Sequence, residues 1–418
     1  MIQAQTSERM PPAPPGGQGH DLPWDELAKT ICRQGIEQGL DLVGIAPLRT
    51  SSQQEALRRH LEALSARGFL SQFLAGPASQ HVDAARVLPS ARSLITAAVS
   101  YYGPTPPLPP SPPWRGRVAR YAWGQDYHSL LRQQLRQLAA ELRSLVGAAG
   151  GDPQAVQTEV LVDSGMLLDR DAAVAAGLGW IGKNGCLIHP RYGSYLVLGQ
   201  IVTNLPLPPL TSPLPNRCGS CHRCLDACPT GALVEPGILN ANRCLSEWTQ
   251  RKSLPPEAIR RAMGNMVFGC DICQDVCPWN RKARPGRNTQ LQGTDPDVAF
   301  PRLDELAAMT GRLFRQRWAG RAAGWRGKWV LARNALIALG NMHAPDALGL
   351  LQDAHHHPNP ALREAAGCAL STATQDEPAT LPPPLVPAAK TPRSSALAAE
   401  TPDASKSGEP PRCPPLPG

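Results

Sequence analysis

Apolar positions recur at intervals of three and four in three stretches of the first half of the chain, and compact apolar runs fall between and after them. Residues 24–39 place Leu27, Ile31 and Gly35 at helical spacing, and "LDLVGIA" then predicts a strand. "QQEALRRHLEALSARG" predicts a second helix ahead of "ARSLITAAVSYY", whose Leu94 to Val99 core suits a buried strand. In "YHSLLRQQLRQLAAELRSLVGAAG" Leu130, Leu131, Leu135, Leu138, Leu142 and Leu145 form one apolar stripe, the mark of a long amphipathic helix. "TEVLVDSG" and "SYLVLGQIVTNL" complete the strands, and the alternation implies an α/β domain with a central sheet.

The texture changes near Pro301. "RGKWVLARNALIALGNMHAPDALGLLQDAHHHPNPALREAAGCAL" reads as three short helices broken at "GNMHAPD" and "HHHPNP", a small HEAT-like appendage with Leu331, Leu336 and Leu339 turned to the core. Proline, 45 residues in all, gathers at residues 11–15, in "PTPPLPPSPP", in "PLPPLTSPLP" and in the tail. Proline fixes φ and removes a backbone donor, so these blocks predict linkers or extended loops. From about Thr372 onward the chain has too little apolar density to offset its ordering entropy, and disorder is expected there.

No apolar run reaches the roughly 18 residues of a membrane span, and the first twenty residues lack a secretory core, which predicts a cytoplasmic protein that avoids membranes. The net charge of +8 suits a polyanionic partner. Of the twelve cysteines, eight lie between residues 218 and 277, and in a reducing compartment such crowding implies ligation rather than disulfides. Cys32, Cys186, Cys368 and Cys413 are scattered and read as structural.

Cys218, Cys221, Cys224 and Cys228 with Pro229 form C-x2-C-x2-C-x3-C-P; Cys244, Cys270, Cys273 and Cys277 with Pro278 supply a second set. In two-cluster ferredoxins the last cysteine of each run crosses to the other cluster. That rule assigns Cys218, Cys221, Cys224 and Cys277 to one 4Fe-4S cluster, and Cys228, Cys244, Cys270 and Cys273 to the other. A pair of four-thiolate zinc sites needs the same number of cysteines, but the triple x2 spacing and the proline suit a tetrahedral ion poorly. Cys244 stands 26 residues before Cys270, and a helix is expected between them. Clusters move single electrons and imply an external donor and a separate reacting centre.

"VDSGMLLDRDAAVAAGLGWIGKNGCLIHP" contains a formal G-x-G-x-x-G at Gly177, Gly179 and Gly182. A helix precedes it and a turn follows, the reverse of a dinucleotide fingerprint. It reads instead as a glycine-capped helix end followed by a loop that approaches a ligand closely. Asp163, Asp169 and Asp171 are acid candidates set against helix caps or ion-pair partners. Asp163 follows the apolar "EVLV" strand directly, where partial burial raises a carboxyl toward a general acid. In "RYAWGQDYHSL", Asp126 is either a helix cap or part of a site with Tyr121, Tyr127 and His128.

Taken together, "RYAWGQDYH", "VDSGMLLDRDAAVAAGLGWIGKNG", "CGSCHRCLDACPTGAL", "CDICQDVCPWN" and "RNALIALGN" resemble the epoxyqueuosine reductase family over roughly residues 24–370. The resemblance implies a cobalamin-binding α/β domain at 23–205, a two-cluster ferredoxin-like domain at 206–290 and a basic HEAT-like unit at 300–371, between disordered ends at 1–22 and 372–418. It implies reduction of epoxyqueuosine to queuosine at the wobble position of tRNA, with electrons passing through the clusters to base-off cobalamin and Asp163 donating a proton. Gly179, Trp180, Gly182, Lys183, Asn184, Leu187 and Leu198 are the implied cobalamin contacts, with Asp163 beside them. His81 stands in where the family has a basic residue before an acid and proline.

From Gly311 to Arg333 the chain carries seven basic residues and no acid, interleaved with Phe314, Trp318, Trp325 and Trp329. Arg312, Arg315, Arg317, Arg321, Arg326 and Lys328 are the candidate tRNA contacts, a phosphate-tracking face with stacking side chains, weighed against a solvated helix over an aromatic seam. A reductive dehalogenase would share the inner machinery, but with an export signal and without the basic unit. A ferredoxin-type carrier would not need the α/β domain, and a zinc-dependent RNA-binding protein is the remaining class. Nothing in the sequence demands more than a monomer.

Overall fold

The computed structural model describes residues 22–74, 76–111, 114–163 and 167–374; the disorder expected at the two ends falls on residues outside these, apart from 22 and 372–374. Chain order begins with α1 (Trp24–Glu37), β1 (Leu42–Pro47), α2 (Ser51–Ala66), β2 (Ser93–Ser100), β3 (Arg117–Val118) and α3 (Tyr127–Ala148). It continues with β4 (Thr158–Leu161), α4 (Asp169–Ala175), β5 (Trp180–Ile181), β6 (Leu187–Ile188) and β7 (Leu196–Thr203). The sheet runs β1-β2-β7-β4 and is antiparallel at every pairing, with Ile95 opposite Ile45 on one side and Ile201 on the other. Helices and sheet alternate as expected, but this is not the parallel sheet of a doubly wound fold, so no switch-point crevice forms.

Strand alternation divides the sheet's contacts. Ile45, Ile95, Ala97, Val99, Val197 and Ile201 face the leucine stripe of α3 and the apolar side of α1. Ala46, Leu94 and Val202 face α4. A Cβ on Gly44 would meet the Ala176 carbonyl oxygen at 2.4 Å, so glycine is what lets α4 press on β1. Local chemistry sets the helix ends. Thr50 and Gln53 close a capping box on α2, and the Asp126 carboxylate accepts from the His128 amide to start α3. Gly177, at φ +74, lets Leu178 N–H bond the Ala173 carbonyl and end α4 in a Schellman turn.

The cysteine region comprises α5 (Arg223–Asp226), β8 (Leu233–Glu235), β9 (Ile238–Leu239), α6 (Leu245–Trp248), α7 (Glu257–Met263), β10 (Met266–Phe268) and α8 (Ile272–Asp275). The insertion between Cys244 and Cys270 is therefore two short helices and a strand rather than one helix. Its "SLPP" interrupts helix formation between α6 and α7, and β10 pairs in parallel with β3 of the first half.

The remaining helices are α9 (Pro296–Ala299), α10 (Leu303–Ala307), α11 (Gly311–Arg317), α12 (Lys328–Asn341), α13 (Leu348–His355) and α14 (Pro360–Ala373). The three predicted helices stand where the breaks placed them, and α14 reaches Ala373, past the expected start of the tail. They pack on both preceding regions. Leu331, Leu336 and Leu339 share one core with Val118, Trp123, Val267 and Phe268 from the two preceding regions. The polar side of α12 is buried as well: Asn334 donates to the carbonyls of Thr249 (2.7 Å) and Val267 (2.8 Å), and Asn341 to those of Arg260 and Gly264. Among the described residues no helix is long and apolar enough to cross a membrane.

Candidate active site and electron-transfer centre

Asp163 leaves the sheet at the end of its edge strand β4, with φ +45, a left-handed conformation that aspartate tolerates better than most side chains. Its carboxylate is 60% exposed, yet the start of α3 holds it. Tyr127 donates its hydroxyl to Oδ2 at 2.6 Å, and His128 Nε2 lies 3.4 Å from the same oxygen. The other ring nitrogen, Nδ1, is 2.7 Å from Asp126 Oδ1. Asp126 thus caps α3 and also orients the histidine, so both sequence readings of it hold together.

The electrostatics differ from the general acid expected at this position. The hydrogen bond from His128, opposed by partial desolvation and aided by Tyr127, holds Asp163 below the usual carboxylate range. Burial disfavours the charged imidazole, but the hydrogen bonds and charges of Asp126 and Asp163 outweigh it and push His128 up to about 9. The resting proton therefore sits on the histidine. Asp169 is the raised carboxyl here. Burial, reinforced by the charge of Asp163, pushes it up to about 7, and Gln200 on β7 donates to it at 2.9 Å. Asp171 pairs with Arg49, as an ion-pair partner would.

The cysteines have different surroundings. Cys218, Cys221, Cys224 and Cys277 line one cavity of about 290 Å³. Burial raises Cys277, and the thiolates of Cys218 and Cys221 repel it further. In the other set, burial raises Cys270 and the charges of Cys244 and Cys228 add to it, while Cys273 feels Cys270 and Cys244. Such like-charge crowding calls for a cationic inorganic core. Cys186, read as structural, proves to be a neighbour of Cys273 and Cys277.

The implied cobalamin contacts have several settings. Lys183 and Asn184 line the cavity of the Cys277 set. Trp180 is buried edge-on to Trp279, with ring centroids 4.9 Å apart, in an apolar cluster with Cys277. Leu187 and Leu198 pack on the α4 side of the sheet. Gly179 and Gly182 are small for an internal reason: a Cβ on either would meet Ile188 at 2.4 Å. Their close approach is to the β5–β6 hairpin. His81 is 2% exposed beside Val82, with neither ring nitrogen bonded to a described residue. An unpaired buried imidazole is costly, so it suits a group bearing amides, as cobalamin does.

The basic stretch divides in two. Arg333, counted in its charge, is buried in the core, where it donates to the carbonyls of Arg251 and Ser253, each at 2.6 Å, and of Trp248. Arg321 spends its guanidinium on the carbonyls of Arg317, Trp123 and Gly124, and Trp318 is 1% exposed. Arg321 is held where the turn after α11 folds back on the first half of the chain, and Arg333 is held by the segment that follows α6. Arg317 pairs with Glu305. Arg312 and Arg315 are exposed. Arg326 lies over Phe73 and the exposed Trp325, and Lys328 over the exposed Trp329.

Two family models match the chain: residues 82–164 match one described as epoxyqueuosine reductase QueG, and residues 217–280 one described as a 4Fe-4S double cluster binding domain. The epoxyqueuosine reductase of Bacillus subtilis is 37% identical over 348 residues, 82% of this chain and 85% of that protein. The chain belongs to the epoxyqueuosine reductase family. The Synechocystis enzyme is 39% identical over 300 residues, 70% of this chain and 98% of its own length. An epoxyqueuosine reductase solved with an epoxyqueuosine-modified tRNA-Tyr stem loop superposes with a TM-score of 0.78 at 35% identity, covering 84% of this chain and 91% of that one. A Bacillus subtilis epoxyqueuosine reductase structure, described with its catalytic aspartate loop swung out of the active site, gives 0.77 at 35% identity over 83% and 90%.

Proposed function

We propose that this chain reduces epoxyqueuosine to queuosine in tRNA, with Asp163 delivering protons drawn from His128. The observation that carries the reading is the exposed carboxylate held between Tyr127 and His128. Tyr121, whose ring centroid lies 6.3 Å from that of Tyr127, feels the charges of both Asp163 and Cys244. The relative bound to a modified tRNA stem loop supports the substrate, and the relative whose catalytic aspartate lies on a movable loop supports an acidic residue in this role.

Deoxygenating an epoxide to an alkene consumes two electrons and two protons and releases water. The cysteine sets hold two 4Fe-4S clusters that pass electrons singly, with an outside donor supplying both. Cobalamin, when bound, supplies a strongly reducing cobalt nucleophile. His81, Lys183, Asn184 and Asp163 are the residues of this chain that would hold or face it. Protons follow the relay. His128 is charged at neutral pH and gives its Nε2 proton to Asp163; Asp163, a weak base in this setting, passes it to the departing oxygen, His128 recharged from solvent supplies the second proton by the same route, and Asp126 keeps the ring aligned. Tyr127 fixes the carboxylate in one rotamer. An electron carrier alone would have no use for this arrangement.

Asp163→Asn tests the assignment, since asparagine tolerates the left-handed backbone and still accepts from Tyr127. Single-turnover conversion of epoxyqueuosine in a tRNA stem loop should fall by about 10²–10⁴-fold with iron and corrin contents unchanged. Wild-type turnover would remove Asp163 from the reaction. The pH profile probes its partner. Protonated His128 is present below about 9 and lost above it, so the wild-type rate should decline as pH rises through that value. His128→Asn should be slow at every pH and lack that limb.

A further inference from the structure

The cavity that holds Cys218, Cys221, Cys224 and Cys277 is also lined by Lys183, Arg217, Arg223 and Lys282, and by no carboxylate. Arg217, Arg223 and Lys282 are exposed, and none of them pairs with an acid among the described residues. Arg281 and Arg284 extend the same run of exposed cations, against which Asp226 is the one acid in residues 217–231 or 278–287. At the centre, half-exposed Trp279 supplies an apolar contact. The proton-delivering end lies by the other set: Tyr127, which holds Asp163, has its ring 6.3 Å from that of Tyr121, and Tyr121 stands against Gly269, the neighbour of Cys270. Electrons that finish near Asp163 therefore enter at the set farther along the chain of thiolates.

We propose that this cation-ringed face is the docking surface for an acidic one-electron carrier protein, a role that rests on the two-cluster reading of the cysteines. Clusters accept single electrons, so a hydride donor would need a flavin between them; and the glycines at 177–182 form a helix end and hairpin rather than a nucleotide cradle. A carrier that must arrive, deliver and leave needs a small interface and long-range attraction rather than a large apolar patch. Ringing the entry point with unpaired positive charge raises the encounter rate of a negative partner and orients it toward the nearest thiolate cluster.

The test uses the full chain loaded with both clusters and a reduced, acidic plant-type ferredoxin as probe. Bleaching of the cluster absorption is followed by stopped flow for wild type and for the variant Arg217→Glu, Arg223→Glu, Lys282→Glu. The ferredoxin-driven rate constant should fall at least about tenfold at low salt and lose most of its salt dependence. Reduction by photoreduced deazaflavin, a neutral small molecule, and affinity for the tRNA stem loop should match wild type. An unchanged ferredoxin rate overturns the proposal. Weakened stem-loop binding with an unchanged ferredoxin rate assigns the face to RNA instead. If wild type shows no cluster absorption to bleach, the two-cluster reading itself fails, a result distinct from either of these.

Discussion

Cys218, Cys221, Cys224 and Cys277 line an open cavity ringed by Lys183, Arg217, Arg223 and Lys282. Cys228, Cys244, Cys270 and Cys273 lie within a scaffold that the C-terminal helices help to build. The segment joining Cys244 to Cys270 packs Leu245, Met263 and Met266 against Ile337 of α12, and it gives its carbonyls to Arg333, Asn334 and Asn341. The same ligand chemistry therefore serves two situations. One set lines a cavity that exposed cations share, and the other is joined by a segment that packs on the helical core. The cysteine runs conceal this, because what packs around a loop does not follow from cysteine spacing.

The sharpest way to break the contrast is to remove one ligand from each set. Cys270→Ser should lose its cluster and much of the fold's resistance to heat, because ligation there is coupled to ordering of the α6–β10 segment. Cys221→Ser should lose about half of the iron while keeping a thermal transition close to wild type. Iron analysis and calorimetry on anaerobically purified proteins check both. Equal destabilisation would mean that the two sets are equally woven into the fold.

Arg333 isolates the helical contribution. The residue is 1% exposed, and burial lowers its guanidinium to about 10. It stays bonded to three carbonyls and to the Asn334 side-chain oxygen. Arg333→Met should cost about 3 kcal/mol in denaturant unfolding, since it strands those carbonyls without solvent. Arg315→Met, at an exposed site, should stay within about 0.5 kcal/mol of wild type. A similar small cost for both would show that water replaces the buried guanidinium.

These positions also mark how far the sequence can be read. The α3 stripe and the three late helices are legible because each depends on local periodicity. The antiparallel sheet is not, since strand direction depends on how the connections cross. The place of Asp163 after an apolar strand singles it out, but points to the wrong charge state. The group that sets that state, His128, is 35 residues away in sequence, and no spacing rule brings the two together. Arg333 and Arg321 mislead for a related reason. A basic residue among aromatics has the same local pattern whether it faces phosphate or the carbonyls of another segment, and only the fold distinguishes them.

The smallest effect separates the two positively charged surfaces. Arg312 and Arg315 on α11 are exposed, and α11 leads to the stacked Arg326–Trp325 and Lys328–Trp329 pairs. If this side follows the tRNA backbone, Arg312→Glu with Arg315→Glu should weaken stem-loop binding by about 2–10-fold at moderate salt and reduce the slope of log affinity against log salt by roughly 0.7–0.9 for each phosphate no longer neutralised. Reversing Arg217, Arg223 and Lys282 should leave that slope alone. Salt dependence is the better discriminator, because it counts released counterions and so reports phosphates engaged rather than charge carried. A slope altered equally by both variants would merge the two surfaces into one RNA-binding field; a slope altered by neither would confine α11 to a structural role.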